Sequence, residues 1–163
     1  KTPIYQKSHV NYSELLQLAK GWGNFASDRI NIWRLLTMYE ETGHGGSCIP
    51  DRIQDILALD VACVGPENNS DEMKVSIFVK EPRFSYHREM IKELVETAKK
   101  HDINYVIDTF APTYGTDCED TMIAGYDVRH GAVGPGTFAT HGYERTHTLA
   151  VQNTYDLIKY FIL

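Results

Sequence analysis

The chain has 163 residues, with 16 Lys+Arg against 22 Asp+Glu for a net charge of −6, and its 42% hydrophobic and 23% charged content suits one soluble domain over residues 1–163. No apolar run approaches the ~20 residues that span a bilayer and no basic stripe offers itself to phosphates, so neither a membrane nor nucleic acid is expected as a partner. Cys48, Cys63 and Cys118 are odd in number and widely spaced, which fits neither a disulfide scaffold nor a zinc knuckle and points to a reducing, cytoplasmic setting.

Residues 11–20 read as a short helix with Leu15, Leu16, Leu18 and Ala19 on one side. Residues 30–39 (INIWRLLTMY) are β-branched and aromatic and read as a buried strand, leaving through Glu40-Glu41-Thr42-Gly43-His44-Gly45-Gly46. Pro50 is expected to begin a helical turn over residues 51–54, before a second apolar run, residues 56–64 (ILALDVACV), interrupted only by Asp60. A polar loop over 65–72 precedes a strand at 74–79. Met90, Ile91, Leu94, Val95 and Ala98 mark a helix over 86–100, with Lys99 and Lys100 suited to its C-terminal dipole. A strand at 104–107, a short helix at 119–124, a strand at 128–133 and a closing amphipathic helix at 148–162 complete the chain. Strands alternating with helices imply a three-layer αβα fold around a mainly parallel sheet.

In such sheets ligands collect beyond the carboxyl ends of the strands. Glu40 and Glu41 stand at one such exit, where two adjacent carboxylates serve a single site only if the strand ends there; a solvated acidic strand end is the plainer reading. Asp60 lies amid Ile56, Leu57, Leu59, Val61 and Val64, so its carboxylate needs either a cation, several donors, or a place just past the buried stretch where it caps a loop. His141 and His147 cluster near the C-terminus, in keeping with a borderline cation or with ordinary surface roles. Asp117, after Gly115 and Thr116, is placed to cap a helix or to support a neighbouring ligand. The acidic neighbours Asp117 and Glu119 make Cys118 a poor nucleophile, and the glycines at 43–46 lack the Lys-Ser/Thr of a phosphate loop.

Four segments in order, Met38-Tyr39-Glu40-Glu41-Thr42-Gly43-His44-Gly45-Gly46-Ser47, Leu57-Ala58-Leu59-Asp60, Gly115-Thr116-Asp117 and Gly142-Tyr143-Glu144-Arg145-Thr146-His147, resemble the glutamyl and deblocking aminopeptidase family. These are co-catalytic dimetal peptidases related to the tetrahedral aminopeptidases, some of them labelled endoglucanases. The resemblance implies a zinc-peptidase-like fold and hydrolysis of N-terminal residues from short peptides. It implies Glu40 as the general base toward a metal-bound water, Glu41 and His147 on one divalent cation, and Asp60 on a second, the ions being zinc, cobalt or manganese. Gly115, Thr116, Asp117, His141 and Arg145 would bind substrate or support the ligands, and the complete protein would be a homo-oligomer.

The family's upstream histidine and bridging aspartate have no clear counterpart. Asp28-Arg29 stands only a dozen residues before Glu40, and the better-placed Lys7-Ser8-His9-Val10-Asn11 offers the neutral Asn11 where the bridge belongs. With Lys1 opening the chain and no lid domain in evidence, the expectation is the C-terminal catalytic part of a longer aminopeptidase or, alternatively, a degenerate non-catalytic relative of the same fold.

Overall fold

The structure is a computed structural model that describes residues 32–162. The helix expected at 11–20 and the candidate motifs around His9, Asn11 and Asp28 lie outside the described residues.

Side-chain alternation along β3 (Val75–Lys80) builds the protein's two cores. Val75 and Ile77 point to one face of the sheet, where they meet Met90, Leu94, Ala98, Val133, Leu157 and Ile158. Phe78 points to the other, where it meets Ala62, Tyr86, Phe110, Cys118 and Ala132. β1 (Asp55–Leu59) divides the same way, with Leu57 and Leu59 toward the first core and Ile56 and Ala58 toward the second. A sheet apolar on both faces must be covered on both, and the helices do this. α1 (Arg88–Lys100) and α3 (Thr148–Ile162) belong to the first core, and the short α2 (Asp117–Ile123) supplies Cys118 to the second. The three-layer expectation is met.

The sheet order is β1, β5 (Arg129–Phe138), β3, β4 (Tyr105–Thr109), with β2 (Ala62–Val64) also on β5. β1 and β2 run parallel to β5, and β4 runs parallel to β3; the β3–β5 pairing is antiparallel. β5 extends five residues beyond the strand expected at 128–133. It is buried over residues 130–137 because it is bonded on both edges and covered on both faces.

The run 56–64 is one strand path broken once. β1 pairs with the first half of β5 and β2 with the second, and Asp60 sits at the break, its N–H donating to the Val133 carbonyl at 3.1 Å. The Asp60 carbonyl presses against Gly134 so closely that a Cβ there would overlap it.

Two expectations fail. Residues 32–39 form no strand, and Trp33, Leu35, Leu36, Met38 and Tyr39 are exposed. Composition of that kind gives a strand only where a sheet edge accepts it, and no described strand pairs with this segment. The turn after Pro50 is not helical, since Arg52 adopts φ 68°. The helix expected at 119–124 starts two residues earlier, at Asp117. Among the described residues no helix is long and apolar enough to cross a membrane.

α1 buries Met90, Leu94 and Ala98, one residue per turn, on the first core. Truncating Leu94, which is fully buried, to Ala should cost about 2–5 kcal/mol. Urea unfolding followed by circular dichroism checks this, and an unchanged midpoint would show that α1 does not pack there.

Candidate active site

Glu40 begins a single 3₁₀ turn, Glu40–Thr42, closed by Gly43 in the left-handed region, whose N–H bonds back to the Glu40 carbonyl. The loop that follows is docked on α2. Thr121 donates its hydroxyl to the Gly46 carbonyl at 2.9 Å, and Thr37 donates to Asp117 Oδ2 at 2.7 Å. A Cβ at Gly46 would overlap the Asp117 carbonyl, so glycine is required for this approach. The result is a cleft of ≈ 200 Å³ between the Glu40–Glu41 turn and residues 113–116, with Glu119, Asp120 and His141 also in its lining.

Helix α2 is capped by Thr116, whose side chain accepts from the Cys118 amide at 3.1 Å; Asp117, expected as the cap, instead opens the first turn. Burial raises the Asp117 carboxyl pKa, opposed by the Thr37 hydrogen bond, and its Oδ1 is buried without a hydrogen-bond partner. His141, at φ 65°, sets its ring edge-on to Tyr114 and its Nε2 3.4 Å from Glu41 Oε2. Glu40, Glu41, Gly115, Thr116 and His141 are thus brought together around one cleft.

The remaining expected residues are not among those lining it. Asp60 is buried at the β1–β2 break, where its Oδ1 accepts from the Val61 amide at 2.6 Å. His147 precedes α3, and its Nδ1 accepts from the Leu149 amide at 3.1 Å. A neutral ring in that arrangement carries its proton on Nε2, so ligation of a cation by His147 requires the cap to be released. Arg145 donates Nε and Nη2 to the two oxygens of Glu72 at 2.7 and 3.0 Å and lies over the Phe138 ring. That fork ties the loop before β3 to the end of β5, and the Glu72 carbonyl in turn accepts from the His147 amide. Among the described residues no three His, Cys, Asp or Glu side chains are grouped to hold a metal.

One residue of this region was not read as functional from the sequence. Glu81, between Lys80 and Pro82, looks like a solvated turn residue, yet it is 1% exposed. Its Oε2 accepts from the Thr116 amide at 2.9 Å and the Thr116 hydroxyl at 3.0 Å, while Oε1 is buried without a partner. Burial pushes its pKa from the ordinary 4.5 up to about 7, against the pull of the Thr116 bonds. Cys118 is inert, as expected, but chiefly for a different reason: burial, then the Glu81 charge, push its thiol up to about 12.

With this geometry in hand, comparison with known proteins gives a family. A family model described as M42 glutamyl aminopeptidase matches residues 13–157. The chain belongs to the M42 glutamyl aminopeptidase family. YhfE of Bacillus subtilis (strain 168), named as an aminopeptidase, is 40% identical to this M42 chain over 129 residues, which cover 78% of the chain and 37% of YhfE. Among solved structures, PhTET1-12s, a dodecamer, superposes with a TM-score of 0.76 at 16% identity, covering 94% of this chain and 48% of its own. The Pyrococcus horikoshii TET1 peptidase, whose structures assemble into a tetrahedron or a large octahedral shell, gives 0.60 at 16%, over 71% and 36%. The aminopeptidase APDkam598 of Desulfurococcus kamchatkensis gives 0.55 at 21%, over 67% and 34%. At these identities the structures establish the fold, and the M42 chain spans less than half the length of each of these relatives.

The raised Glu81 pKa makes stability depend on pH with a definite sign. The folded state holds this proton more tightly than the unfolded chain, so the contribution is full below pH ~4.5 and falls as pH rises toward ~7, by on the order of 3 kcal/mol. Chemical denaturation at pH 5 and pH 8 should show this decline in the wild type and a shallower one in Glu81→Gln; equal slopes would place the titration elsewhere.

Proposed function

We propose that this chain forms part of the catalytic domain of an aminopeptidase that hydrolyses the N-terminal residues of short peptides, with Glu40 as general base. The observation that carries the reading is the Glu40–Glu41 turn seated on α2 at the rim of a cleft, in a chain of the M42 family. The lining includes four carboxyl side chains, Glu40, Glu41, Glu119 and Asp120, against one histidine, His141. Such a cleft attracts a cationic group, and the free α-ammonium of a peptide is one. In the proposed reaction Glu40 takes a proton from the water whose oxygen bonds the scissile carbonyl carbon. It returns the proton to the amine nitrogen as the carbon–nitrogen bond breaks.

Two divalent cations, zinc, cobalt or manganese, are part of this reading through the family. Glu41 and His147 are assigned to one and Asp60 to the other, with Gly115, Thr116, Asp117, His141 and Arg145 in supporting places. Among the described residues no three such side chains are grouped, and Asp60 Oδ1 and His147 Nδ1 each accept a backbone N–H, so the described residues do not by themselves form a three-ligand site. The oligomeric assemblies of the TET relatives support a homo-oligomer for the longer protein, and the cysteine usage supports the cytoplasm.

The alternative is a degenerate relative that keeps the fold without hydrolysis, which the lack of a clear counterpart to the family's bridging aspartate in the sequence would favour. Release of an aminoacyl chromophore by the longer gene product, supplied with zinc, cobalt or manganese, separates the two readings. Under the first, Glu40→Gln lowers kcat by about 10²–10⁴-fold while metal content measured by elemental analysis stays unchanged. A longer product that takes up no metal and releases nothing selects the second.

A further inference from the structure

Beneath the cleft lies a buried polar string that the proposed chemistry does not use. Glu81 stands at its end, directly after β3, with its backbone N–H bonded to the Phe84 carbonyl at 3.0 Å. Its carboxyl reaches Thr116 by two hydrogen bonds, and Thr116 lies 3.3 Å, oxygen to oxygen, from the buried Tyr86 hydroxyl. The Tyr86 ring rests in turn against His130 of β5, at 5.6 Å between centroids. Thr116 is both the cap of α2 and a wall of the cleft. No described residue other than Glu81 is bonded to the Thr116 amide, so this carboxyl and the cap on α2 are the two ties that hold the end of residues 113–116 facing Glu40.

We propose that Glu81 is a positioning residue for the cleft, holding the Thr116 amide and hydroxyl from below and so fixing the loop that faces the Glu40–Glu41 turn. The inference rests on the cleft being the place where the chain meets its substrate, but its mechanism is independent of hydrolysis. Oε2 carries both bonds, and Oε1, buried and without a partner, is where the neutral form carries its proton. Deprotonation puts a charge under the loop that the Thr116 hydrogen bonds meet and no cation balances. The groups facing it do not supply a cation: Cys118 and Glu119 on α2, Tyr86 ahead of α1, and His130 beyond Tyr86, whose pKa burial lowers. Lys80 and Arg83 flank it in sequence but are exposed. Because burial raises the carboxyl pKa, the charge beneath the Thr116 amide changes with pH near neutrality.

The test uses the chain as it is, labelled with nitrogen-15, and reads the Thr116 and Cys118 amides from pH 5 to pH 9. In the wild type both resonances should move through one inflection near neutrality. In Glu81→Gln, whose amide oxygen can accept the same two bonds, the inflection should vanish while Thr116 hydrogen exchange stays within about threefold of wild type. In Glu81→Ala that exchange should accelerate at least tenfold. An inflection that survives in Glu81→Gln, or Thr116 exchange unaltered in Glu81→Ala, overturns the proposal. Should the alanine variant not fold, Glu81→Asp replaces it, and its shortened carboxyl should displace the Thr116 resonance; an unmoved resonance likewise overturns it. A chain that hydrolyses nothing refutes the peptidase reading and leaves these measurements decisive for Glu81.

Discussion

Main-chain bonding along both edges of β5 is the constraint from which the rest of the molecule follows. That strand joins β1 and β2 on one side to β3 on the other, and through β3 it holds β4. Over residues 130–137 it is buried, so its neighbours must satisfy the main chain there without a gap. One consequence is local: where the β1–β2 path breaks, the Asp60 amide still reaches the Val133 carbonyl, and the Asp60 carboxylate turns to the Val61 amide. The Val61 amide thereby supplies a backbone donor to this buried carboxylate.

The cleft is a second consequence of the same architecture. Covering the second face of the sheet falls to α2, a helix of two turns, and to the segments packed beside it. A short helix leaves much of its flank open, and the segment from Thr37 to Gly46 docks there through the Thr37–Asp117 and Thr121–Gly46 bonds. The acidic turn is thus held against the start of α2 by side chains that have no chemistry of their own. Across it, Thr116 is tied both to the helix as its cap and to Glu81 below. Rigidity on both walls is what a site needs if a proton is to pass over a short distance.

Most of the layer order was legible in the sequence, because β-branched runs and a Met90–Leu94–Ala98 spacing are dictated by burial, which any buried strand or amphipathic helix must satisfy. α3 was read to its exact limits. Residues 32–39 were misread because strand composition describes what a segment tolerates, whereas pairing depends on an edge elsewhere in the chain. Around the cleft, the Glu-Glu pair, the Gly115–Thr116 turn and His141 were visible as motifs. Glu81 was not, since Lys80-Glu81-Pro82-Arg83 has the composition of an exposed turn and only the fold reveals that the second of these residues points inward. Arg145 was visible but its partner was not, as Glu72 lies in a different loop.

Gly46 and Gly134 share one property, a backbone carbonyl so close that the smallest side chain would strike it. Neither glycine has a side chain to transfer a proton or ligate a cation. In a survey of tolerated substitutions both would nevertheless stand out as strictly as a reacting group, and Gly46 would do so right next to the acidic turn. Intolerance at these positions would be a record of shape, and counting it as chemistry would enlarge the site beyond its real extent.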